Sequence, residues 1–535
     1  MLTVAYGVDN SLLDSESTAS LASSNVHNLL RPPMAGRKPW KPSTSFVGLS
    51  VDNQIEILSL LDALDILALR KCCRVLMEAS KRRIIWINIL RRAVSQQGVF
   101  QPTFPVERMT LPQLEHAATA SYRFLCQIRR TGKQGYLQPL ATRVLKAPSD
   151  TRDRVTFRQS LIIPGGRFLL TESSDDLLQL WDLGFHADTV IDPSPIASVK
   201  IHPSAGDYYP TTHPTADGQG LVIRVLSMSN QEFPTMNIFE IYPLAPGNRA
   251  FTHIGTYACH AALEPHEMEP YLLTSDLLVF RLLLCLVVWD FRRDMAATIA
   301  CEQDADEILL AVPHLIVLDL TGANIYRIPP LQARTDSNGD PTGTDLFDPH
   351  FGSVMRIDYG SSAGVVNPYL DHWSSVLSAD HGRRDFFFIY VPPSGEPRKV
   401  LRYTLTNIQN PPTDGLPQCV PVFMDAFALP PDDRSGVFGS PSSFVSEHSG
   451  DIYLQMIHSH EYDTMEAHVL PKPQVKGSEV LCSQIRLPAP SCRAIPVSTM
   501  FCPFSARLCI HATDGDIHVC DLVSPSPSAT ILSEA

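Results

Sequence analysis

The chain, 535 residues long, predicts a mixed fold: a small all-α block on the N-terminal side and a large all-β domain after it. Three observations carry this expectation. The stretch QIEILSLLDALDILALRKCCRVLMEASKRRIIW, residues 54–86, is strongly apolar at helical spacing. After about Lys146 the texture changes to short apolar runs separated by Pro, Gly and Asp turns. The length itself exceeds what one ordinary domain accommodates, so two or three units are expected.

In chain order, residues 1–45 are rich in Ser, Asn and Pro, lack sustained periodicity and read as a flexible tail. Residues 46–92 form the helical block. Its first helix carries Ile55, Ile57, Leu58, Leu60, Leu61 and Leu64. These cover more than the single apolar stripe that a lone surface helix needs, which leaves one face for the block's own core and one for a partner. Asp65 is the expected N-cap of a second helix with Ile66, Leu69, Cys73 and Leu76. Trp86 opens or anchors a third. A unit this small is marginal alone and gains from docking. Residues 93–146 read as a helical linker. Within it, MTLPQLEHAATASYRFLCQIRR offers Thr110 as N-cap, Gln113 at the capping-box position and Pro112 in the first turn.

From 147 to 535 the reading is β throughout. LIIPGGRFLLTESSDDLLQLWDL is strand, turn, strand, turn, strand. GLVIRVLSM and MNIFEIYPL form a hairpin with a longer loop, and PPSGEP separates two strands in RRDFFFIYVPPSGEPRKVLRYTL. GDIYLQMI and ARLCIHATDGDIHVCDL add further strands. The apolar run from Leu272 to Phe291 is interrupted by Asp276, Arg281 and Asp290. Its uninterrupted part is far shorter than the roughly 20 residues a bilayer needs, so it reads as two buried strands.

Composition narrows the function. A net charge of -13 argues against general affinity for nucleic acid or anionic membranes. The chain opens without a basic-then-apolar leader pattern, and the 12 cysteines are scattered, several inside apolar runs. That pattern fits reduced, buried thiols and a cytoplasmic or nuclear location. No zinc spacing, P-loop or dinucleotide fingerprint is present, so no metal or cofactor is expected. His458 and His460 stand two apart, with Asp463 and His468 beyond, but surface histidines beside a loop are the simpler reading. GSSAG, residues 360–364, satisfies a nucleophile-elbow pattern with Ser362 at its centre. The next residues, VVNPYLDHW, make a poor helix start, and the alternating βα units that hold such an elbow are missing. The basic residues of SKRRIIW and ILRRAV read as the solvated side of helices.

Three stretches of the β region share an ending. GGRFLLTESSDDLLQLWDL closes on Trp181-Asp182, LLLCLVVWDF on Trp289-Asp290, and ATDGDIHVCDL on Cys520-Asp521. They resemble strands of WD-repeat β-propeller blades, with Trp181, Asp182, Trp289, Asp290 and Asp521 at the closing positions. The resemblance implies a propeller of about seven or eight irregular blades, with an irregular pair of β-sandwiches as the alternative. No blade can be marked between 183 and 270 or between 330 and 440.

The helical block resembles the F-box. The family pattern places Leu49 first, then Ile57, Leu61, Asp65-Ile66, Cys73-Arg74 and the closing Trp86, in that order. Ser50 replaces a Pro, Asp52 a Glu, and Leu76 stands where Trp is common. The following segment, to about 130, resembles the continuation seen in fungal F-box proteins, especially of mushroom-forming fungi. The resemblance implies a non-catalytic substrate receptor of a Skp–cullin–F-box ubiquitin ligase. Leu49, Ile57, Leu58, Leu61, Ile66 and Leu67 would then face a Skp-type adaptor, and through it the cullin and RING subunits. Cys73 and Trp86 would lie in the F-box core, and the β region would recruit a protein substrate through side chains the sequence does not name. The alternatives are a non-ligase interaction scaffold and, more remotely, a serine hydrolase using Ser362.

Overall fold

The computed structural model describes residues 46–131, 136–146 and 155–201, then the strands and most of the turns from 210 to 523. Between 355 and 498 it describes the backbone of strands alone. The helical region holds α1 (Val51–Leu60), α2 (Ala63–Arg70), α3 (Arg74–Ser80), α4 (Arg83–Gln96) and α5 (Leu111–Thr131). Short 3-10 turns stand at Phe46–Gly48 and Gln101–Thr103.

Local chemistry sets the helix ends. Ser50, the residue in place of the family's Pro, is the N-cap of α1, and its hydroxyl accepts from the Asn53 N–H at 3.4 Å. The buried Gln54 amide donates to the Leu49 carbonyl at 3.0 Å and to that of Val47 at 3.2 Å, which ties the preceding turn to the helix. The second helix starts earlier than expected: Asp62, not Asp65, is at its N-cap. Arg92 holds that junction by donating to the carbonyls of Ser59 (3.1 Å) and Leu61, and it lies 3.7 Å from the Asp62 carboxylate. Asp65 stands instead in the first turn of α2, where a carboxylate suits the helix dipole. At α5 the expected capping box is half present, with the Thr110 N–H donating to Gln113 Oε1 at 2.8 Å.

The β region forms seven sheets of four or five strands among the described residues, antiparallel but for one short outer strand of the sixth. The first comprises Phe157–Ile162, Phe168–Ser173, Leu177–Asp182 and Ala197–Lys200 as a meander. The second comprises Thr211–Pro214, Leu221–Met228, Pro234–Ile241 and Thr252–Ala258. The third contains Leu277–Leu282 paired in register with Cys285–Asp290, so the apolar run from Leu272 is a hairpin. No helix among the described residues is long and apolar enough to cross a membrane.

The sheets follow one another as β-propeller blades do. First strands of neighbouring sheets pack against one another: Thr211–Pro214 against Pro270–Leu273, the latter against Glu307–Ala311, and Phe438–Glu447 against Pro496–Cys502. Pro496–Cys502 meets Phe157–Ile162, which brings the last sheet against the first. The last sheet takes its outer strand, Ala141–Leu145, from the N-terminal side, paired antiparallel with Ile517–Asp521. Tyr136–Leu137 likewise adds to the sixth sheet, in parallel. This corrects the expected boundary at 146. The helical linker ends with α5, and the β domain begins with these two strands, because their backbone groups find sheet partners only there.

Helices and sheets share one core. Leu58, Ile66, Trp86, Leu90, Phe104 and Leu114 belong to the same apolar cluster as Phe157, Leu169 and Trp181 of the first sheet and Cys509 and Val519 of the last. The Gln101–Thr103 turn sits across this seam. Phe100 N–H donates to the Pro164 carbonyl at 3.1 Å, Arg167 donates to the Pro102 carbonyl at 3.1 Å, and the Phe104 and Phe504 rings lie 5.5 Å apart. Gly165, at φ +106, lacks the Cβ that would stand 2.5 Å from Thr103 Oγ1, so the turn can approach. Phe124, Leu125 and Ile128 of α5 form a second cluster with Phe501, Leu508 and Ile510 of the last sheet.

Candidate partner-binding surface of the helical block

The 3.6-residue period of α1 sends Gln54 and Leu58 inward and Asn53, Glu56, Ile57 and Leu60 outward. Leu58 is fully buried, whereas Ile57 is 38% and Leu60 74% exposed. Four further large apolar side chains of the block are exposed: Val47, Val51, Val75 and Ile84. Ile57 and Leu60, three residues apart on α1, share one exposed face, and it is this apolar pair that offers a partner a surface.

Two of the residues expected to face a partner do not. Leu58 and Ile66 are fully buried in the block's own core. A side chain without solvent access meets no partner unless the block opens, so both are corrected to core residues. Leu49 is half-buried, as are Leu61 and Leu67, which pack their inner sides on that core. Ile57 alone of the expected set stands exposed. Leu60, the most exposed of the block's apolar residues, was within reach of sequence reasoning, because it lies on the same helical face as Ile57.

Trp86 organises the interior. Fully buried, it donates from Nε1 to the Ser80 carbonyl at 2.8 Å, and the Arg70 guanidinium stacks 5.0 Å from its ring centroid. Arg70 in turn donates to Glu115 of α5 through both nitrogens of its fork. Cys73 is not central; it stands half-buried at the N-cap of α3. Residues 46–88 match the family model of the F-box domain. The matched segment spans α1 to the first half of α4, so the face bearing Ile57 and Leu60 belongs to the F-box. No curated protein matches the chain.

The blade-closing positions stand at the ends of strands inside their sheets. Trp181 donates to Thr171 Oγ1 at 2.9 Å, and Arg167 grips Asp182 at 2.9 and 2.7 Å. Trp289 donates to Asp294 at 2.9 Å, and Asp290 accepts from the N–H groups of Arg292 and Arg293. Asp521 accepts from Arg507 at 2.7 Å and from Arg143 at 2.9 Å. Arg507 also donates to the carbonyls of Gly166 and Gly184, and Arg143 to that of Leu183, so this cluster bolts the last sheet to the first. Every one of these carboxylates is engaged within the fold.

The chain is similar to the C-terminal WD40 domain of Sif2 (7% identity, 72% of this chain and 98% of that one, TM-score 0.38). It is also similar to the WD40 repeats of RRP9 (11% identity, 72% and 98%, TM-score 0.37) and to KlHsv2 carrying a Gly-Ser linker in place of loop 6CD (12% identity, 67% and 89%, TM-score 0.36). Likenesses of this size leave the fold to be argued from the sheets themselves.

The enzyme alternative finds no support in the described backbone. Ser362 itself lies outside the described residues, but the segment after it, Val365–Tyr369, is a strand. A nucleophile elbow needs a helix there. His460 also lies outside the described residues, and among those described no cluster of His, Cys, Asp or Glu suits a metal.

Proposed function

We propose that the chain is a substrate receptor of a Skp–cullin–F-box ubiquitin ligase. The observation that carries this reading is the F-box match at 46–88, combined with the exposed apolar side chains Ile57 and Leu60 on α1 of that segment. On this reading the adaptor seats on the outer face of α1, and Leu49, Leu61 and Leu67 contribute their exposed edges. The seven sheets act as seven blades that present a protein client. The chain does no chemistry; it raises the client's effective concentration beside the ligase.

The shared core supports a receptor of this kind. A helical block welded to the first and last sheets holds a bound client at a set distance from the adaptor, with no linker entropy to overcome. The test is co-purification of the full chain with a purified Skp-type adaptor, beside a Leu60→Asp variant. Retention of the adaptor by the wild type and its loss in the variant is the expected result. A folded wild-type chain that retains no adaptor refutes the reading and leaves a scaffold whose helical block serves its own β domain.

A further inference from the structure

Thiol accessibility separates two cysteines from the rest. Among the described cysteines only Cys72 is exposed; Cys73 and Cys126 are half-buried, and the others are buried. Burial pushes the Cys285 thiol up to about 11 and that of Cys520 up to about 12, which keeps both protonated and unreactive. Cys126 is engaged by the Tyr122 hydroxyl. A dissolved oxidant therefore meets Cys72 first, and the next residue along the chain is a second thiol.

The pair occupies the turn between α2 and α3. The Cys72 N–H donates to the Leu69 carbonyl at 3.0 Å and its thiol to that of Ala68 at 3.6 Å, so Cys72 closes the last turn of α2. Cys73 is extended, at φ -162 and ψ 163, and stands at the N-cap of α3, where its side chain makes no cap bond. Its carbonyl accepts from the Met77 N–H at 3.0 Å, the first hydrogen bond of α3. Adjacent Cα atoms lie about 3.8 Å apart across a trans peptide, whereas an ordinary disulfide spans about 4.4 to 6.8 Å. A bridge between these neighbours forms only if the intervening peptide turns, which costs strain and leaves the bond easily reduced. Lys71 and Arg74 bracket the pair and are both exposed, so two such segments repel, and a bridge within one chain is favoured over one between chains.

We propose that Cys72 and Cys73 form a reversible oxidation site whose co-reactant is a peroxide. The Cys72 sulfur attacks hydrogen peroxide, the O–O bond breaks, and a sulfenic acid and one water form. The Cys73 sulfur then displaces the hydroxyl: the S–S bond forms, the S–O bond breaks, and a second water leaves. Two thiols have been oxidised to one disulfide, and one peroxide has been reduced to two waters. The turning peptide draws the Cys73 carbonyl away from Met77, so oxidation loosens the start of α3, a helix of only seven residues.

The experiment treats the full chain with hydrogen peroxide, quenches with catalase, alkylates, digests without reductant, and measures the mass of the peptide holding both cysteines. The expected product is lighter by two hydrogens (about 2 Da), carries no alkyl group, and returns to two alkylated thiols after dithiothreitol. Amide exchange over residues 74–80 should quicken in the oxidised chain and recover on reduction. In Cys73→Ser the reaction should stop at the sulfenic acid, which dimedone traps on Cys72. The wild-type peptide carries the main result, so a poorly folded variant does not obscure it. Thiols that both stay alkylatable, two oxygens gained on Cys72, a disulfide-linked dimer, or a buried cysteine modified before Cys72 would overturn the proposal. A bridge that forms with unchanged exchange over α3 overturns its conformational half. No adaptor takes part, so none of these outcomes bears on the ligase reading.

Discussion

Phe104→Ala tests whether the helical block and the β domain are one cooperative unit. Phe104 is 7% exposed, stacks 5.5 Å from Phe504, and lies in the apolar cluster shared by the helices and the first and last sheets. Removing a nearly buried Phe costs about 3–5 kcal/mol, and the lost aromatic pair places this site near 4. Unfolding entropy scales at about 2 cal/mol/K per residue, so a helical unit of roughly 90 residues carries about 0.2 kcal/mol/K, and a cooperative unit spanning residues 46–523 carries about 1. A loss of about 4 kcal/mol therefore shifts an independent helical unit by about 20 °C but a single cooperative chain by only about 4 °C. Scanning calorimetry separates the two. The shared core predicts one endotherm displaced by a few degrees, with no new shoulder. A separate low-temperature endotherm, with the main transition unmoved, refutes the coupling. The same core predicts that residues 40–130, expressed alone, expose Phe104, Phe124, Leu125 and Ile128 and associate non-specifically, so binding measurements belong on the full chain.

The remaining predictions concern single positions. Leu60→Asp should change stability by less than about 0.5 kcal/mol while abolishing adaptor capture, whereas Leu58→Ala, inside the core, should cost about 2–5 kcal/mol in urea unfolding. Equal stability losses in the two would reverse the assignment of their faces. Arg507→Met removes the main partner of Asp521 and the donor to the Gly166 and Gly184 carbonyls. About 3–5 kcal/mol should be lost, read as a lower urea midpoint, and an unchanged midpoint would show that the seam does not depend on this arginine. His116 is pushed down from 6.5 to about 4 by burial, aided by the neighbouring Arg123, His186 and Arg507. Between these values the unfolded chain takes up a proton that the folded chain refuses, so stability is full above about pH 6.5 and declines towards pH 4, by up to about 3 kcal/mol. His116→Gln should flatten that part of the pH profile; an unaltered slope would place its origin elsewhere.

Much of the fold was legible. The hairpins around Trp181-Asp182, Trp289-Asp290 and Cys520-Asp521 stand where the turn residues place them, since Pro-Gly-Gly and Asp-rich turns act locally. The second sheet, Thr211 to Ala258, escaped as a blade because none of its strands ends in Trp-Asp. Its register rests on cross-strand partners rather than on a local motif. The strand Ala141–Leu145 escaped for a stronger reason. Its partner, Ile517–Asp521, lies at the far end of the chain, and no local pattern announces so distant a pairing.

By itself, the sequence determined the helical block, the β texture after it and the F-box order from Leu49 to Trp86, because propensity, capping and turn chemistry act over a few residues. Only the tertiary structure decided which apolar face of α1 is covered. Periodicity sets Leu58 and Leu60 on different sides of the helix, but burial of one and exposure of the other follow from α3 and α4 packing against α1 and leaving its outer face open. The seam decided the rest. Whether the helices stand apart from the sheets or share a core with them depends on contacts between residues hundreds of positions apart, such as Phe104 with Phe504, which form only when the chain has closed.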